Sequence, residues 1–329
     1  MVTQAEIAKK LGVSRQLVTF ALAGYPHVAE ESRIRILKTA TEMGYRPNPH
    51  ARALKKKRTG ILGLWIPDQI STHYSHVSRE LSHLVKEAGQ ELIISEIVSG
   101  DAKQLISNLS VDGIFVVDAS KEIQRELAAV VAKSVPVVSI GAHSALKIDS
   151  VLVDLKTGTM EAMAHLISSG YRRIAHATFV KRSEPHENRR IEYTRAMREA
   201  GLKPEFFYYP LSGGQRSIAR QMIQDYIRNH GVPEAIFCHS DDVTLGIYRG
   251  LCDMGIRVPE QVALVGCDGI QDTEYLEVPL TTLVQPVVEM CSTAWRFLLH
   301  RMGDSTLPLQ HALLTPSLAI RESSRRVAP

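Results

Sequence analysis

Apolar positions near the start of the chain follow a helical period that is interrupted once. Thr3 and Glu6 have the spacing of a capping box, which predicts a helix start, and Gly12 supplies the left-handed residue that ends the helix. The positions on one face of this helix, which we expect to be buried, are Ile7, Ala8 and Leu11. The pattern therefore predicts one short helix followed by a tight turn.

A second helix is predicted from about residue 15 to residue 23, with Ser14 as its cap. The side chains expected to face the first helix are Leu17, Val18, Ala21 and Leu22. Those that project away, which we call the reading face, are Arg15, Gln16, Thr19 and Phe20. Two short helices joined by a tight turn are typical of a helix-turn-helix that binds DNA, and an ordinary helical hairpin is the alternative.

A third helix is predicted from Glu30 to Met43, ending at Gly44, with one apolar stripe. That stripe consists of Ile34, Leu37, Ala40 and Thr41. Residues 47–58 can start a further short helix, because Asn48 is a good cap and Pro49 suits a first helical position. A helix of fewer than about 12 residues is marginal in water, so this one is expected to fold only against a symmetry mate or DNA.

The rest of the chain alternates short, continuous apolar runs with helical periods. The runs, which predict strands, are residues 61–66, 91–94, 113–117, 135–140, 173–177, 234–238 and 262–266. The helical periods lie near residues 75–88, 121–133, 156–169, 187–200, 215–230 and 242–254. Continuous apolar strands predict parallel sheets covered on both faces, and a body of this length exceeds one comfortable core, so we expect two doubly wound subdomains. A ligand cleft is expected between them, at the carboxyl ends of the strands.

Charge divides the chain at the same place. Residues 1–59 carry 12 Lys and Arg against 4 Asp and Glu, whereas residues 60–329 carry 27 against 31. A basic head on a mildly acidic body favours duplex DNA as the partner of the head, because phosphate neutralisation supplies much of the affinity. For the basic run at residues 55–58 alone, a solvated charge cluster remains the alternative.

The head resembles the lactose/galactose repressor (LacI/GalR) family of bacterial transcription regulators. The residues that carry the resemblance are Ile7-Ala8, Gly12-Val13-Ser14, Val18-Thr19, Ala21-Leu22, Tyr45-Arg46-Pro47-Asn48 and Ala51-Arg52-Ala53-Leu54. The family places its second helix in the major groove and pairs short hinge helices in the minor groove, where Leu54 here would be the wedge between base steps. The DNA-contacting residues expected on this basis are Thr3, Ser14, Arg15, Gln16, Thr19, Phe20, His27, Asn48, Ala51 and Leu54.

Side-chain chemistry refines the reading face. Arg15 suits the edge of guanine and Gln16 that of adenine, with simple surface solvation as the alternative. Phe20 departs from the polar or basic residue usual in the family, so it either contacts a thymine methyl or packs against Tyr25. His27 matches a DNA-contacting position, although a loop histidine is more often merely solvated.

The resemblance continues through the body. The matching landmarks are Asp154 with Gly158, Tyr171 to Ala175, Arg189 to Ala196, Ser240-Asp241, Val258-Pro259, Val265 to Asp268, Pro279 to Thr282, and Gln285-Pro286. They imply an all-α helix-turn-helix head plus an α/β body of two doubly wound parallel-sheet subdomains of periplasmic-binding-protein-like type. We expect the head at residues 1–46, the hinge at 47–59 and the effector-binding and dimerisation domain at 60–329. Within the last, residues 60–152 with 285–315 form the N-subdomain, and 153–284 with 316–329 form the C-subdomain.

Several polar residues are expected to contact the effector. Arg189 offers a fork of donors, with a structural salt bridge as its alternative role. The residues expected to accept hydrogen bonds from ligand hydroxyls are aspartates that follow apolar strands, any of which could instead cap a helix: Asp68, Asp241 and Asp268. The remaining candidates are His73, Tyr74 and Ser240.

Two stretches depart from the family pattern around the cleft. Ile140-Gly141-Ala142 stands where many relatives carry an acidic residue followed by Arg, and Leu211 to Gly214 replaces the usual aromatic residue. A pocket without that carboxylate and ring would suit a larger, flatter or more acidic effector than a common hexose.

The expected function is a repressor whose affinity for a near-palindromic DNA operator is controlled by a small, carbohydrate-related effector. Two alternatives remain: a solute sensor of the same body fold and a carbohydrate-active enzyme. No dinucleotide, P-loop or nucleophile-elbow motif is complete, so we expect no enzyme activity, no cofactor and no metal. We expect a cytoplasmic homodimer that does not contact membranes, because no apolar run is long enough to span a bilayer and no leucine heptads close the chain. The four cysteines, which lack Cys-x-x-Cys spacing, are expected to stay reduced.

Overall fold

A computed structural model describes residues 2–45, 58–97, 110–118, 123, 127, 135–142, 148–179, 188–210 and 214–326. The chain divides into two units, Met1–Thr59 and Gly60–Pro329. The predicted contacts of Asn48, Ala51 and Leu54, and most of the helix expected near residues 121–133, lie outside the described residues.

The first unit contains three helices. They are α1 (Gln4–Leu11), α2 (Arg15–Leu22) and α3 (Glu30–Glu42). The Thr3 amide donates to the Glu6 carboxylate at 2.7 Å, and the Glu6 amide donates to the Thr3 hydroxyl, so the capping box is complete. Gly12 ends α1 in the left-handed conformation, and Ser14 accepts from the Leu17 amide at the start of α2. The expected helix-turn-helix is present.

The buried face of α3 differs from the predicted stripe. Ile34 is 58% exposed and Leu37 is 43% exposed, whereas the buried residues of this helix are Ile36, Thr39 and Ala40. Both stripes have helical spacing and share Ala40, so periodicity alone did not distinguish them. Of the predicted stripe, only Ala40 is therefore buried, whereas Ile34, Leu37 and Thr41 are exposed.

The second unit contains two six-stranded sheets. The first sheet has the order β2-β1-β3-β4-β5-β11 and is parallel throughout. Its strands are β1 (Ile61–Ile66), β2 (Glu91–Glu96), β3 (Gly113–Val117), β4 (Val137–Gly141), β5 (Asp149–Val153) and β11 (His311–Leu314). In register, Leu62 of β1 pairs with Leu92 of β2 and with Gly113 of β3. With helices α4 (Thr72–Glu87) and α9 (Val287–Gly303), this sheet forms what we call the first lobe.

The second sheet has the order β7-β6-β8-β9-β10-β12, in which only the pairing of β10 with β12 is antiparallel. Its strands are β6 (Ile174–Phe179), β7 (Glu205–Tyr209), β8 (Ala235–Cys238), β9 (Ala263–Asp268), β10 (Thr281–Val284) and β12 (Ser317–Ala319). Its helices are α5 (Leu155–Ser168), α6 (Asn188–Glu199), α7 (Gln215–His230) and α8 (Asp241–Asp253). Together they form the second lobe.

The chain passes between the two sheets after β5, after β10 and between β11 and β12. Strand order reverses between β1 and β3 in the first sheet and between β6 and β8 in the second, and ligands of doubly wound sheets bind at the carboxyl ends of strands beside such reversals. Within the described part of the chain, no helix combines the length and apolar character needed to cross a bilayer. The four cysteines are free thiols, of which only Cys252 is exposed.

Candidate effector cleft and DNA-reading face

The start of α2 presents two unobstructed polar side chains. Arg15 and Gln16 are exposed at its first two positions, while the preceding Ser14 uses its hydroxyl as the helix cap. An arginine and an amide at the amino end of a recognition helix are the groups that make paired contacts with guanine and adenine in the major groove. The geometry of α2 is therefore compatible with base recognition by both residues.

Thr19 is more constrained than a simple outward-facing residue. It is half-buried, and its hydroxyl lies 2.9 Å from Oε1 of Gln4 on α1. The Gln4 amide nitrogen in turn donates to the Tyr45 hydroxyl at 3.0 Å. Thr19 thus links the two helices of the motif, and its predicted contact with DNA remains a prediction.

Phe20 lies in an aromatic cluster. Its ring centroid is 5.1 Å from that of Tyr25 and 4.9 Å from that of His27, the latter in an edge-on arrangement. Such pairs add about 0.5–1.5 kcal/mol beyond their buried area. This geometry favours the alternative in which Phe20 packs against Tyr25, and it fixes His27 beside the recognition helix.

Two aspartates at strand ends have positive φ angles in the second unit. Asp118, after β3, has φ 42°, and Asp268, the last residue of β9, has φ 132°. Residues other than glycine rarely adopt such angles, and backbone strain of this kind concentrates at functional sites. Both residues lie at the carboxyl edge of a sheet. Each lobe therefore contributes to the expected cleft one aspartate with a strained backbone.

Asp118 was missed in the sequence analysis. Its carboxyl accepts from the Ala142 amide at 2.8 Å and from the Tyr74 hydroxyl at 3.2 Å. A Cβ on Gly141, where φ is 131°, would lie 2.0 Å from Asp118 Oδ1. Gly141, in the stretch that lacks the family's acidic residue, therefore leaves space for the carboxylate of Asp118, which follows the neighbouring strand. The sequence signal that could have identified Asp118 is an aspartate directly after an apolar run.

Asp268 and Arg189 lie on the side of the cleft formed by the second lobe. The Asp268 carboxyl accepts from Nε2 of Gln285 at 2.8 Å. Burial raises the pKa of Asp268 to about 7, and the positive charge of Arg189 opposes this rise. Arg189 donates to the His239 carbonyl at 2.8 Å, and its other terminal nitrogen lies 2.8 Å from the His239 ring. These two contacts hold the guanidinium beside His239.

The Asp241 carboxyl group makes several hydrogen bonds within the second lobe. It is 0% exposed, and its oxygens accept from the amides of Gly269 at 2.7 Å and Ile270 at 3.0 Å and from the Thr282 hydroxyl at 2.7 Å. These bonds fix the loop after β9, so Asp241 has a structural role, and its contact with an effector remains a prediction. Ser240 caps α8 through the Val243 amide at 3.4 Å, and its contact with an effector remains a prediction.

Three residues of the first lobe complete the candidate set. Burial lowers the pKa of His73, and burial together with the charge of Asp118 raises the pKa of Tyr74. The charge of Asp268 also raises the pKa of Tyr74, so Tyr74 interacts electrostatically with a carboxyl group of the opposite lobe. Asp68 is engaged locally, because its carboxyl accepts from the Ile70 amide at 2.8 Å. The structure therefore brings His73 and Tyr74 to the cleft.

A separate groove of about 540 Å³ lies on the second lobe between α6 and β7. Its lining includes Arg190, Arg198 and Tyr208. None of the predicted effector residues lines this groove, and it does not include the strand ends where the strained aspartates lie. We do not assign it to the effector.

Comparison with known proteins shows what this chain is similar to. The profile of a periplasmic binding protein-like domain matches residues 163–324. The ribose operon repressor of Haemophilus influenzae is 28% identical over 335 residues, which cover 98% of each chain. The catabolite control protein A of Priestia megaterium is 27% identical over 332 residues, covering 98% of this chain and 99% of the relative. Along nearly its whole length the chain is therefore similar to repressors of the lactose/galactose repressor family.

Solved structures of this fold include the lac repressor dimer bound to operator and an anti-inducer. It superposes with a TM-score of 0.84 at 22% identity, covering 98% of this chain and 99% of that one. A cellobiose complex of the transcriptional regulator CelR superposes with a TM-score of 0.71 at 24% identity, covering 98% and 100%. These likenesses confirm the expected fold class, a helix-turn-helix head followed by two parallel-sheet subdomains.

Proposed function

We propose that this protein is a member of the lactose/galactose repressor family and a dimeric, sequence-specific repressor. Its operator affinity is controlled by an effector bound between the two lobes. The observation that carries the proposal is the combination, in one chain, of a recognition helix with exposed Arg15 and Gln16 and a two-lobed body with a strained aspartate on each side. The named relatives are transcription regulators, and no catalytic role is proposed for this chain.

The domain and partner assignments follow from this proposal. We assign DNA binding to residues 1–46, the hinge to 47–59 and effector binding with dimerisation to 60–329. A homodimer presents two recognition helices related by a two-fold axis, so its operator is a near-palindrome. Access to chromosomal DNA places the protein in the cytoplasm. Within the hinge, Asn48, Ala51 and Leu54 keep their proposed DNA contacts.

The cleft favours a neutral, hydroxyl-rich effector. The groups that converge there are Asp118, Asp268, Tyr74 and Arg189, so two carboxyl groups face one guanidinium. Carboxyl oxygens accept hydrogen bonds from ligand hydroxyls, whereas an acidic ligand would meet like charges. We therefore favour a sugar or polyol over the more acidic effector that the altered strand ends first suggested.

The test begins with selection of an operator from random DNA duplexes by the purified full-length protein. Sugars, sugar acids, polyols and nucleosides are then screened by thermal shift, and each compound that raises the melting temperature is titrated into the protein–operator complex. A sugar or polyol that weakens operator binding supports an inducible repressor, and one that strengthens it supports a corepressor mechanism. Failure to select any operator, by a protein that is folded by circular dichroism, would refute the proposed function.

A further inference from the structure

Helix α4 of the first lobe lacks a side-chain cap of its own. Ser71 occupies the cap position but makes no capping hydrogen bond. Instead, the amide of Thr72 donates to Oδ2 of Asp242 at 3.1 Å, and Asp242 lies in the first turn of α8 in the second lobe. An orphan amide at the start of one lobe's helix is thus satisfied by a carboxylate from the other lobe.

A second residue of the opposite lobe reinforces this contact. Arg216 on α7 donates from Nε to Oδ1 of Asp242 at 2.8 Å and from a terminal nitrogen to the Thr72 hydroxyl at 2.8 Å. The Thr72 hydroxyl also lies 3.2 Å from Asp242 Oδ1. Asp272, again in the second lobe, accepts from Arg216 at 2.7 Å. Thr72 is therefore the point at which the first lobe joins a network held by the second.

Burial and charge both favour this contact between the two lobes. Asp242 is only 6% exposed, so loss of a donor would leave a buried carboxyl oxygen without a hydrogen bond. The amino end of α4 carries a partial positive charge that favours a carboxylate in that position. If the lobes separated, Asp242 would keep Arg216, but the start of α4 would lose its only carboxylate partner among the described contacts. Opening would therefore destabilise the start of α4, although Asp242 is distant from it in sequence.

We propose that Thr72, Arg216 and Asp242 form a latch that stabilises the closed cleft. Asp242 acts as a positioning residue, because it follows the buried Asp241 and contacts the opposite lobe rather than the pocket. Thr72 directly precedes His73, so closure of the latch also fixes the first-lobe residues that face the effector. The latch would raise affinity for any effector that binds the closed form, by raising the population of that form. This inference extends the proposed function but does not depend on the identity of the effector.

Hydrogen exchange of the full-length protein tests the latch without a ligand. In Asp242→Ala we expect exchange of the Thr72 amide to accelerate about three- to thirty-fold, the range that corresponds to loss of a helix cap. Thr72→Val keeps the amide but loses both hydroxyl contacts, so it should accelerate exchange in the same turn, whereas Thr72→Ser should behave like the wild type. Arg220→Ala is the matched control, because Arg220 lies one turn along α7 and pairs with Asp253 inside the second lobe.

The pattern of exchange separates a latch from a local structural role. If Asp242→Ala accelerated exchange only in α8 and left the start of α4 unchanged, the inference would be overturned. Should Asp242→Ala fail to fold, the comparison of Thr72→Val with Thr72→Ser decides, and identical exchange in these two variants would also overturn it. Operator binding by the wild type is measured separately, so its absence would refute the proposed function and leave the latch standing.

Discussion

The buried pair formed by Asp241 and Asp268 should make stability fall as pH rises. Burial and the charge of Asp268 raise the pKa of Asp241, and burial raises that of Asp268 to about 7, against an ordinary value of 3.8. Close carboxyl groups in such a site titrate as a unit, and we expect the pair to hold one proton at neutral pH. Replacing Asp268 with Asn removes one charge with little change in shape.

The size of the effect follows from the pKa shift. A rise of roughly three pKa units corresponds to about 4 kcal/mol, at about 1.36 kcal/mol per unit. Because the native pKa lies above the unfolded value, the folded protein binds more protons between pH 4 and pH 7. The free energy of unfolding contributed by the pair therefore falls across this window as pH rises. Asp268→Asn should match the wild type near pH 4 and exceed its stability by up to about 4 kcal/mol at pH 8.

Urea unfolding at pH 4.5, 6, 7 and 8, followed by circular dichroism, measures this difference. Asp225→Asn is a suitable control, because Asp225 is an exposed carboxylate on α7 that pairs with Arg228. The control should show no comparable change of stability with pH relative to the wild type. A stability difference between Asp268→Asn and the wild type that stays constant from pH 4.5 to pH 8 would refute the reasoning.

Other predictions concern the cleft and the head. Arg189→Ala should lower affinity for a sugar found by thermal shift at least tenfold and leave operator affinity unchanged in gel-shift titrations. Gly141→Ala should cost about 1–3 kcal/mol in urea unfolding, because the added Cβ would displace Asp118. Arg15→Ala should lose about 1–3 kcal/mol of discrimination at one base pair of the selected operator. Phe20→Leu should lower the melting temperature of the head, because the ring packs against Tyr25 and His27. If the ring packs only internally, replacing the operator thymines with uracil should not change the affinity of the wild type.

Local signals predicted much of the fold. The boundaries of α1 and α2 follow from capping residues, and the continuous apolar runs predicted β1 and β3 residue for residue. The elements that the pattern did not predict are five strands of three to five residues and one helix: β5, β7, β10, β11, β12 and α9. In β10 the buried Thr281 and Thr282 are satisfied by partners that are distant in sequence, so their burial has no local signature.

Residues of the site were harder to predict, because their roles depend on contacts between distant segments. Asp118 can adopt its position only because Gly141, on the adjacent strand, has no side chain. Asp241 and Asp268 both follow apolar strands and looked equivalent in sequence. Among the described contacts, the amides of Gly269 and Ile270 donate to Asp241 and not to Asp268. That distinction arises from the path of the loop after β9.

The hydrogen bonds that join Thr19, Gln4 and Tyr45 use only uncharged groups. Phosphate contacts weaken steeply as salt concentration rises, whereas bonds between neutral hydroxyl and amide groups are nearly indifferent to ionic strength and to pH near neutrality. The position of the recognition helix relative to Tyr45, the last described residue before the hinge, should therefore remain constant while overall DNA affinity varies. Changes in the osmotic state of the cell would then alter how tightly the protein holds DNA without altering which bases it selects.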